Sequence, residues 1–261
     1  MEHVTSADGT RIAYKRSGSG PPLILVHGTA SDHSRWEPLA EHLRDEFTLY
    51  AIDRRGRGGS SDGSSYSLKL ECTDIAAVAN AIARPVNIYG HSYGVHCVLG
   101  AAPMIGNLHR LVLYEGPFAN GKEITPTPLI EELEQLIADG KPEEAITKFM
   151  REILKMSDED LEKYRSMPSW QARIEAAPTF PRELRAANNY IFEPELARRI
   201  RVPTLLLVGG ESLDVFRNSV QKLHDALPDS RIHMLEGQMH SADAAAPEMV
   251  ADALKNFLLD G

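Results

Sequence analysis

Short, mostly apolar runs recur along the chain, and patterns with the periodicity of an amphipathic helix follow most of them. Strands that are apolar on both sides are typical of a parallel sheet covered by helices on both faces. The predicted strands cover residues 23–26, 47–52, 86–89, 111–114 and 204–208, and a further strand-like run covers 230–235.

Segments in which apolar residues recur with helical spacing accompany these runs. One such pattern covers residues 68–82, and another covers 250–258 near the end of the chain. Alternation of strand and helix predicts a doubly wound, mostly parallel α/β sheet. Asp8-Gly9 stands between two alternating runs near the start, which predicts a hairpin that forms an antiparallel edge.

The strand pattern stops between about residues 116 and 201. Nine of the 16 prolines fall between Pro117 and Pro203, where prolines mark helix starts and stops. The helices predicted there cover residues 129–137, 142–156, 158–164 and 182–190. We therefore predict a core formed by residues 1–116 and 202–261, and a helical cap formed by residues 117–201 that is inserted between two strands.

Composition narrows the function classes. With 28 Lys and Arg against 37 Asp and Glu, the 261-residue chain has a net charge of −9, which argues against nucleic-acid binding. The first residues lack the basic and apolar segments of a signal peptide, and no apolar run approaches the ~20 residues of a membrane span. The chain has two cysteines, and it contains neither a CxxC nor an HExxH motif. We expect a cytoplasmic protein without membrane contact, metal or cofactor.

Two segments match the pattern G-x-S-x-G, and their surroundings separate them. Residues 90–94 contain Ser92, follow a predicted strand and open a predicted helix, which is the context of a nucleophile elbow. Residues 59–63 contain Ser61 and lie in a polar loop with no strand before them. The sequence therefore predicts Ser92 as a nucleophile and Ser61 as an ordinary loop serine.

A nucleophilic serine needs a base, and His240 is the best placed of the ten histidines. It follows the strand-like run 230–235 and a Gly-containing turn. The loops at the carboxyl ends of strands are where an open α/β sheet forms its site. His233 lies within the run itself, and we interpret it as structural.

Four segments together resemble the α/β-hydrolase superfamily: 26–29 (VHGT), 53–58 (DRRGRG), 90–94 (GHSYG) and 237–240 (GQMH). The resemblance covers nearly the whole chain except the cap. It implies a triad in the order serine, acid, histidine. It also implies an oxyanion hole formed by the backbone N–H groups of Thr29 and Tyr93. The arginines of 53–58 are expected to form ion pairs and not to bind substrate.

The acid of the triad is open between several carboxylates. In most of the family it lies three residues after a glycine that follows the strand beyond the cap, and counting from Gly209 this position is Ser212. Glu115 follows the preceding strand, where some family members hold their acid, while Asp214 and Glu211 flank the usual position. We prefer Glu115, with Asp214 as the alternative.

These residues predict a serine hydrolase that cleaves a carboxylic ester or lactone through an acyl-enzyme. A serine in the elbow argues against epoxide hydrolysis and dehalogenation, which need a carboxylate nucleophile. Alternatives are a cofactor-free lyase or C–C hydrolase on the same scaffold, or a non-catalytic receptor for a small ligand. Phe118, Trp170 and Phe180 are the candidate walls of a pocket for a small-molecule substrate.

Overall fold

Eight strands form one sheet in the computed structural model, which describes residues 1–119 and 121–259. The predicted cap includes residue 120 and the predicted core ends at residue 261, and residues 120, 260 and 261 lie outside the described residues. The strands are β1 (Glu2–Thr5), β2 (Arg11–Gly18), β3 (Pro22–Val26), β4 (Thr48–Ile52), β5 (Val86–His91), β6 (Leu108–Tyr114), β7 (Thr204–Gly209) and β8 (Ser230–Leu235).

The strand order across the sheet is β1-β2-β4-β3-β5-β6-β7-β8. Strands β1, β2 and β4 pair antiparallel, and every later pairing is parallel. The hairpin predicted at Asp8-Gly9 is confirmed, with Gly9 at a φ of +88° and its N–H donating to the Ser6 carbonyl. The predicted mostly parallel α/β sheet is therefore confirmed.

The central strands are buried on both faces, as their mostly apolar composition predicts. Every residue of β3, β4, β5 and β7 is buried. Successive side chains alternate between two apolar clusters, so that Ile24 and Val26 face one side of the sheet and Leu23 and Leu25 the other. Strand β8 is exposed along most of its length because it forms the edge of the sheet.

Twelve α-helices accompany these strands within the described part of the chain. They are α1 (Glu37–Leu43), α2 (Leu68–Ala81), α3 (Tyr93–Ala101), α4 (Thr127–Ala138), α5 (Pro142–Glu152), α6 (Asp158–Arg165), α7 (Ser169–Glu175), α8 (Phe180–Asn188), α9 (Pro194–Arg198), α10 (Asp214–Ala226), α11 (Ala242–Ala245) and α12 (Pro247–Leu258). Helices α2, α3 and α10 cover one face of the sheet, and α1 and α12 cover the other.

Helices α4 to α9 lie between β6 and β7 in the chain and are here called the helical insertion. Their apolar side chains form two clusters of their own, and one of these also contains Ala30, which follows β3. The helix predicted over 142–156 ends at Glu152, and Lys155 then adopts a φ of 54°. Leu154 and Met156, which follow the end of α5, line a cavity at the edge of the sheet.

Candidate active site

Ser92 occupies the sharp turn between β5 and α3. Its φ of 55° and ψ of −124° lie in a region that non-glycine residues rarely adopt. The turn depends on close contacts that only glycine permits. A Cβ on Gly28 would lie 2.8 Å from the Ser92 Cβ, and one on Gly94 would lie 2.4 Å from the Val26 carbonyl oxygen. The Ser92 N–H donates to the Tyr114 carbonyl over 2.9 Å, which anchors the turn to β6.

His240 and Glu115 form a buried hydrogen-bonded pair. The Nδ1 of His240 lies 2.7 Å from the Oε2 of Glu115, and the two side chains are 11% and 0% exposed. A carboxylate only accepts hydrogen bonds, so the histidine proton resides on Nδ1 and the Nε2 lone pair is free to act as a base. The ring of Phe216 stacks on the His240 ring with 4.1 Å between centroids.

Glu115 is held on its other side by β7. Its second oxygen, Oε1, accepts the Gly209 N–H over 2.7 Å, and its own backbone has a φ of 51° just after β6 ends. The carboxylate is therefore fixed by two strands. The alternative acid, Asp214, is exposed as the first residue of α10, and Glu211 is exposed in the loop before it.

Thr29 and Tyr93 line the same cavity as Ser92 and His240. Thr29 lies in the loop after β3, beside Ala30, which has a φ of 45°. Tyr93 is the first residue of α3. Its hydroxyl lies 2.8 Å from that of Tyr66, so its ring is held away from Ser92 while its N–H belongs to the first turn of the helix.

A sequence profile of the alpha/beta hydrolase family matches residues 23–253. The chain belongs to this family. It is 28% identical over 260 residues to 2-(acetamidomethylene)succinate hydrolase of Mesorhizobium japonicum, covering 94% of this chain and 90% of that one. It is 29% identical over 248 residues to N-formylmaleamate deformylase of Pseudomonas putida, covering 90% and 88%.

Solved structures agree with this assignment. The crystal structure of an alpha/beta hydrolase from Sphaerobacter thermophilus superposes with a TM-score of 0.84 at 33% identity, covering 98% of this chain and 100% of that one. The described residues of this α/β hydrolase contain no helix that is both long and apolar enough to cross a membrane.

The cavity of the α/β hydrolase lies between the carboxyl edge of the sheet and the helical insertion. It has a volume of about 80 Å³, and a single water needs about 10–15 Å³ of such space, so the cavity has room for a small ligand. Sequence reasoning missed the part of its apolar wall that comes from one face of α5 and the turn after it. This part consists of Ile146, Phe149, Met150, Ile153, Leu154 and Met156.

The three predicted pocket aromatics have different positions. Phe180 lines the cavity and packs edge-on against Phe149. Trp170 lies instead in a separate cluster with Met150 and Leu161, where its indole N–H donates to Glu143 over 3.3 Å. Phe118 stacks on Phe192 and packs in the core beside α3. Phe118 and Trp170 are therefore not among the residues that line this cavity, although Phe118 lines a groove beside it.

A buried ion pair fixes the loop that carries His240. Arg35 donates to both oxygens of Asp243 over 2.8 and 2.6 Å. Burial, followed by the charge of Arg35, holds the pKa of His91 well below its usual range. His91 is thus neutral, and its Nε2–H donates to the His240 carbonyl over 2.7 Å. Neither contact carries a local sequence signal, since both join segments far apart in the chain.

The predicted ion pairs of the 53–58 turn are confirmed. Arg54 and Arg57 are fully buried and share Glu71 and Glu183 as partners. Burial alone would raise the pKa of Glu71, but the two guanidinium charges lower it below its usual value. Glu183 belongs to α8 and also accepts the Ala30 N–H over 3.3 Å. This cluster therefore joins the helical insertion to the loop that holds Thr29.

One group of metal-ligating side chains occurs in the part of the chain that the structure describes. Ligand atoms of Asp32, His33 and Asp53 lie within 4.8 Å of one another. Hydrogen bonds within the protein account for the arrangement. Asp53 accepts the N–H and Nδ1–H of His33 and the Gly59 N–H, and Asp32 caps the short helix that begins at His33. Ser61, as predicted, lies in a loop and accepts the Arg11 N–H.

Proposed function

We propose that the protein is a serine hydrolase that cleaves a carboxylic ester or lactone through an acyl-enzyme on Ser92. The observation that carries the proposal is the Glu115–His240 hydrogen bond of 2.7 Å in the wall of the cavity that contains Ser92. Glu115 orients His240, and His240 takes the Ser92 proton as the hydroxyl oxygen attacks the carbonyl carbon.

The backbone N–H groups of Thr29 and Tyr93 are the proposed donors to the tetrahedral oxyanion. Donors in a water-poor site stabilise the developing charge more than they would in water. His240 then passes the proton to the leaving alkoxide. In the second half of the reaction it takes a proton from water, whose oxygen attacks the acyl carbon. The acyl–Oγ bond then breaks, and His240 returns the proton to the Ser92 oxygen as the acid is released.

The helical insertion is the proposed cap, with residues 117–201 as its extent and residues 1–116 and 202–261 as the core. Its α5, the turn after α5 and α8 together supply much of the apolar wall of the cavity, so we propose that the cap excludes water from the acyl group and sets the length of acyl chain that fits. This division assigns the reaction to the core and the choice of substrate to the cap.

Cleavage of an acyl–nitrogen or C–C bond is the second candidate. The names of the two relatives support it, because one is a deformylase and the other a hydrolase of an acetamido compound. The same groups would serve, with His240 protonating a nitrogen or carbon leaving group instead of an alkoxide.

A substrate panel tests the proposal and separates the candidates. p-Nitrophenyl esters of increasing acyl length, lactones, and N-formyl and N-acetyl amides are assayed with the parent protein and with Ser92→Ala. We expect short esters or lactones to be turned over and Ser92→Ala to be inactive. Turnover of amides alone would favour the second candidate, and activity that survives Ser92→Ala would refute the acyl-enzyme.

A further inference from the structure

Arg173, on α7 of the helical insertion, is a buried cation in the cavity wall. The residue is 7% exposed and lines the same cavity as Ser92. Its Nη1–H donates to the Ala30 carbonyl over 3.1 Å, and its guanidinium carbon lies 5.6 Å from the centroid of the Tyr164 ring. Among the described residues, no carboxylate oxygen lies within 4.0 Å of a guanidinium nitrogen of Arg173, so it forms no ion pair there.

The acidic groups that act on Arg173 most strongly are engaged elsewhere. Both oxygens of Asp243 accept from Arg35, and the Oδ1 of Asp32 accepts from the backbone and hydroxyl of Ser34. Burial, and then the charge of Arg35, lower the pKa of Arg173 to about 10. At neutral pH the guanidinium therefore remains charged without a matching anion.

The charge of the cavity wall is opposite to that of the whole protein. The chain carries a net charge of −9, yet the described lining of the cavity includes two arginines, Arg35 and Arg173, and no aspartate or glutamate. Arg35 is neutralised by Asp243, which leaves one uncompensated positive charge. A buried charge without a partner is unfavourable, and groups kept in such a state cluster at functional sites.

We propose that Arg173 binds a carboxylate of the substrate, so that the substrate is a small ester or acyl compound bearing a second, ionised carboxyl group. The planar guanidinium fits a carboxylate with two parallel hydrogen bonds, and one guanidinium neutralises one carboxylate. The inference rests on the proposed function, since it names the substrate class of the Ser92 site.

Two matched pairs of esters isolate the contribution of the carboxylate. Monoethyl succinate and ethyl levulinate differ in that a methyl ketone replaces the carboxylate on the acyl side. Acetoxyacetate and acetoxyacetone carry the same difference on the leaving-group side. Release of ethanol or acetate gives kcat/KM for each ester. We expect the carboxylate ester to be preferred by about tenfold to a hundredfold in at least one pair, as a charge-assisted hydrogen bond predicts.

Arg173→Met should lower kcat/KM of the carboxylate esters, chiefly through KM, by more than it lowers kcat/KM of the neutral esters, so that the preference is lost, while Arg173→Lys should retain part of it. Arg185→Met is the matched control. Arg185 also belongs to the helical insertion, but it pairs with Glu134 at the surface, so its substitution should leave the preference unchanged. Arg173→Met should also have a Tm no lower than the parent, because it removes an unpaired buried charge.

Absence of a carboxylate preference in both pairs would overturn the proposal. So would a Tm loss in Arg173→Met with equal losses on charged and neutral esters, which is the signature of a structural role. Calorimetric binding of monoethyl succinate and acetoxyacetate to Ser92→Ala separates this inference from the proposed function. Binding that weakens at least tenfold in Ser92→Ala/Arg173→Met supports the Arg173 role even if no ester is hydrolysed.

Discussion

The carboxyl edge of the sheet and the helical insertion meet at one cavity, but they hold their polar groups differently. At the sheet edge, Ser92 and Glu115 adopt φ angles of 55° and 51°. The Ser92 N–H donates to the Tyr114 carbonyl, and the Glu115 carboxylate accepts the Gly209 N–H. Most ion pairs of the insertion lie at the surface, such as Arg151 with Asp158. Exposed pairs of this kind contribute little to stability.

The difference indicates a division of labour. A strained backbone persists only where surrounding contacts over-determine it, and the sheet edge supplies such contacts around Ser92, His240 and Glu115. Within the described residues, the insertion offers the cavity an apolar wall and one cation that lacks an ion-pair partner, Arg173. The residues that the insertion contributes can change with little effect on Ser92, His240 and Glu115. Differences in specificity on a shared fold arise in such variable parts.

The largest effect is expected at the sheet edge. Replacing Glu115 with glutamine should lower kcat by about 10⁴-fold, because an amide no longer fixes the His240 proton on Nδ1. The measurement is steady-state hydrolysis of the best ester in the panel, with circular dichroism to confirm folding.

Asp214→Asn is the matched control, since Asp214 is the other carboxylate that the sequence offers. It is exposed at the start of α10, and its substitution should change kcat by less than about twofold. A large loss in Asp214→Asn with little loss in Glu115→Gln would reverse the assignment of the acid.

The next effect concerns the junction of the two regions. Glu183 of α8 pairs with Arg54 and Arg57 beneath the Thr29 loop, and all three side chains are fully buried. Glu183→Gln should lower the free energy of unfolding by about 3–5 kcal/mol, because it leaves buried positive charge uncompensated. Urea denaturation measures the loss.

Glu134→Gln provides the comparison within the helical insertion. Glu134 pairs with Arg185 at the surface, so its substitution should reduce the free energy of unfolding by less than about 1 kcal/mol. Equal losses in Glu183→Gln and Glu134→Gln would contradict the view that the Glu183 cluster joins the regions.

The smallest effect expected for a single side chain is the contribution of one buried histidine to the pH dependence of the free energy of unfolding. Burial lowers the pKa of His27, His91 and His96, that of His96 from 6.5 to about 4. The unfolded chain takes up protons below pH 6.5 while the folded chain does not, so stability is complete above that pH and falls as pH decreases toward about 4. Each histidine contributes about 1.4 kcal/mol per pH unit in this range.

His33 acts in the opposite direction. Its hydrogen bond to Asp53 raises its pKa, so its contribution is present below pH 6.5 and is lost as pH rises. Urea unfolding across the acid range should show a net decline, and His96→Gln should reduce the slope by about 1.4 kcal/mol per pH unit. His3→Gln, at an exposed position, should not alter it. A slope that His96→Gln leaves unchanged would contradict the buried-neutral assignment.

The sheet could be predicted from the sequence because buried parallel strands carry a local signal. Mostly apolar runs mark β3, β5 and β7, and the small residues around Ser92 mark a strand that turns into a helix. In the helical insertion, α7 and α9 were not predicted. Both are short, at seven and five residues, and such lengths carry little helical periodicity.

The partners of the site residues could not be predicted with equal certainty. The sequence places Glu115 and Asp214 each after a strand, and only the alignment of β6 beside β7 puts the Glu115 carboxylate between His240 and Gly209. Arg173 carries no local signal, because a buried arginine and a surface arginine look the same in a helical segment. Whether Arg173 is buried and whether it has an ion-pair partner depend on the side chains that neighbouring elements place beside it.

Labelling with a fluorophosphonate probe, read by intact and peptide mass spectrometry, tests the central claim most directly. The claim is that the pair of His240 and Glu115 activates Ser92. We predict one adduct per chain, located on Ser92, with a labelling rate that falls sharply in His240→Ala and Glu115→Gln and is unchanged in Asp214→Asn. A folded parent protein that forms no adduct, or one that is labelled at another residue, would contradict the account.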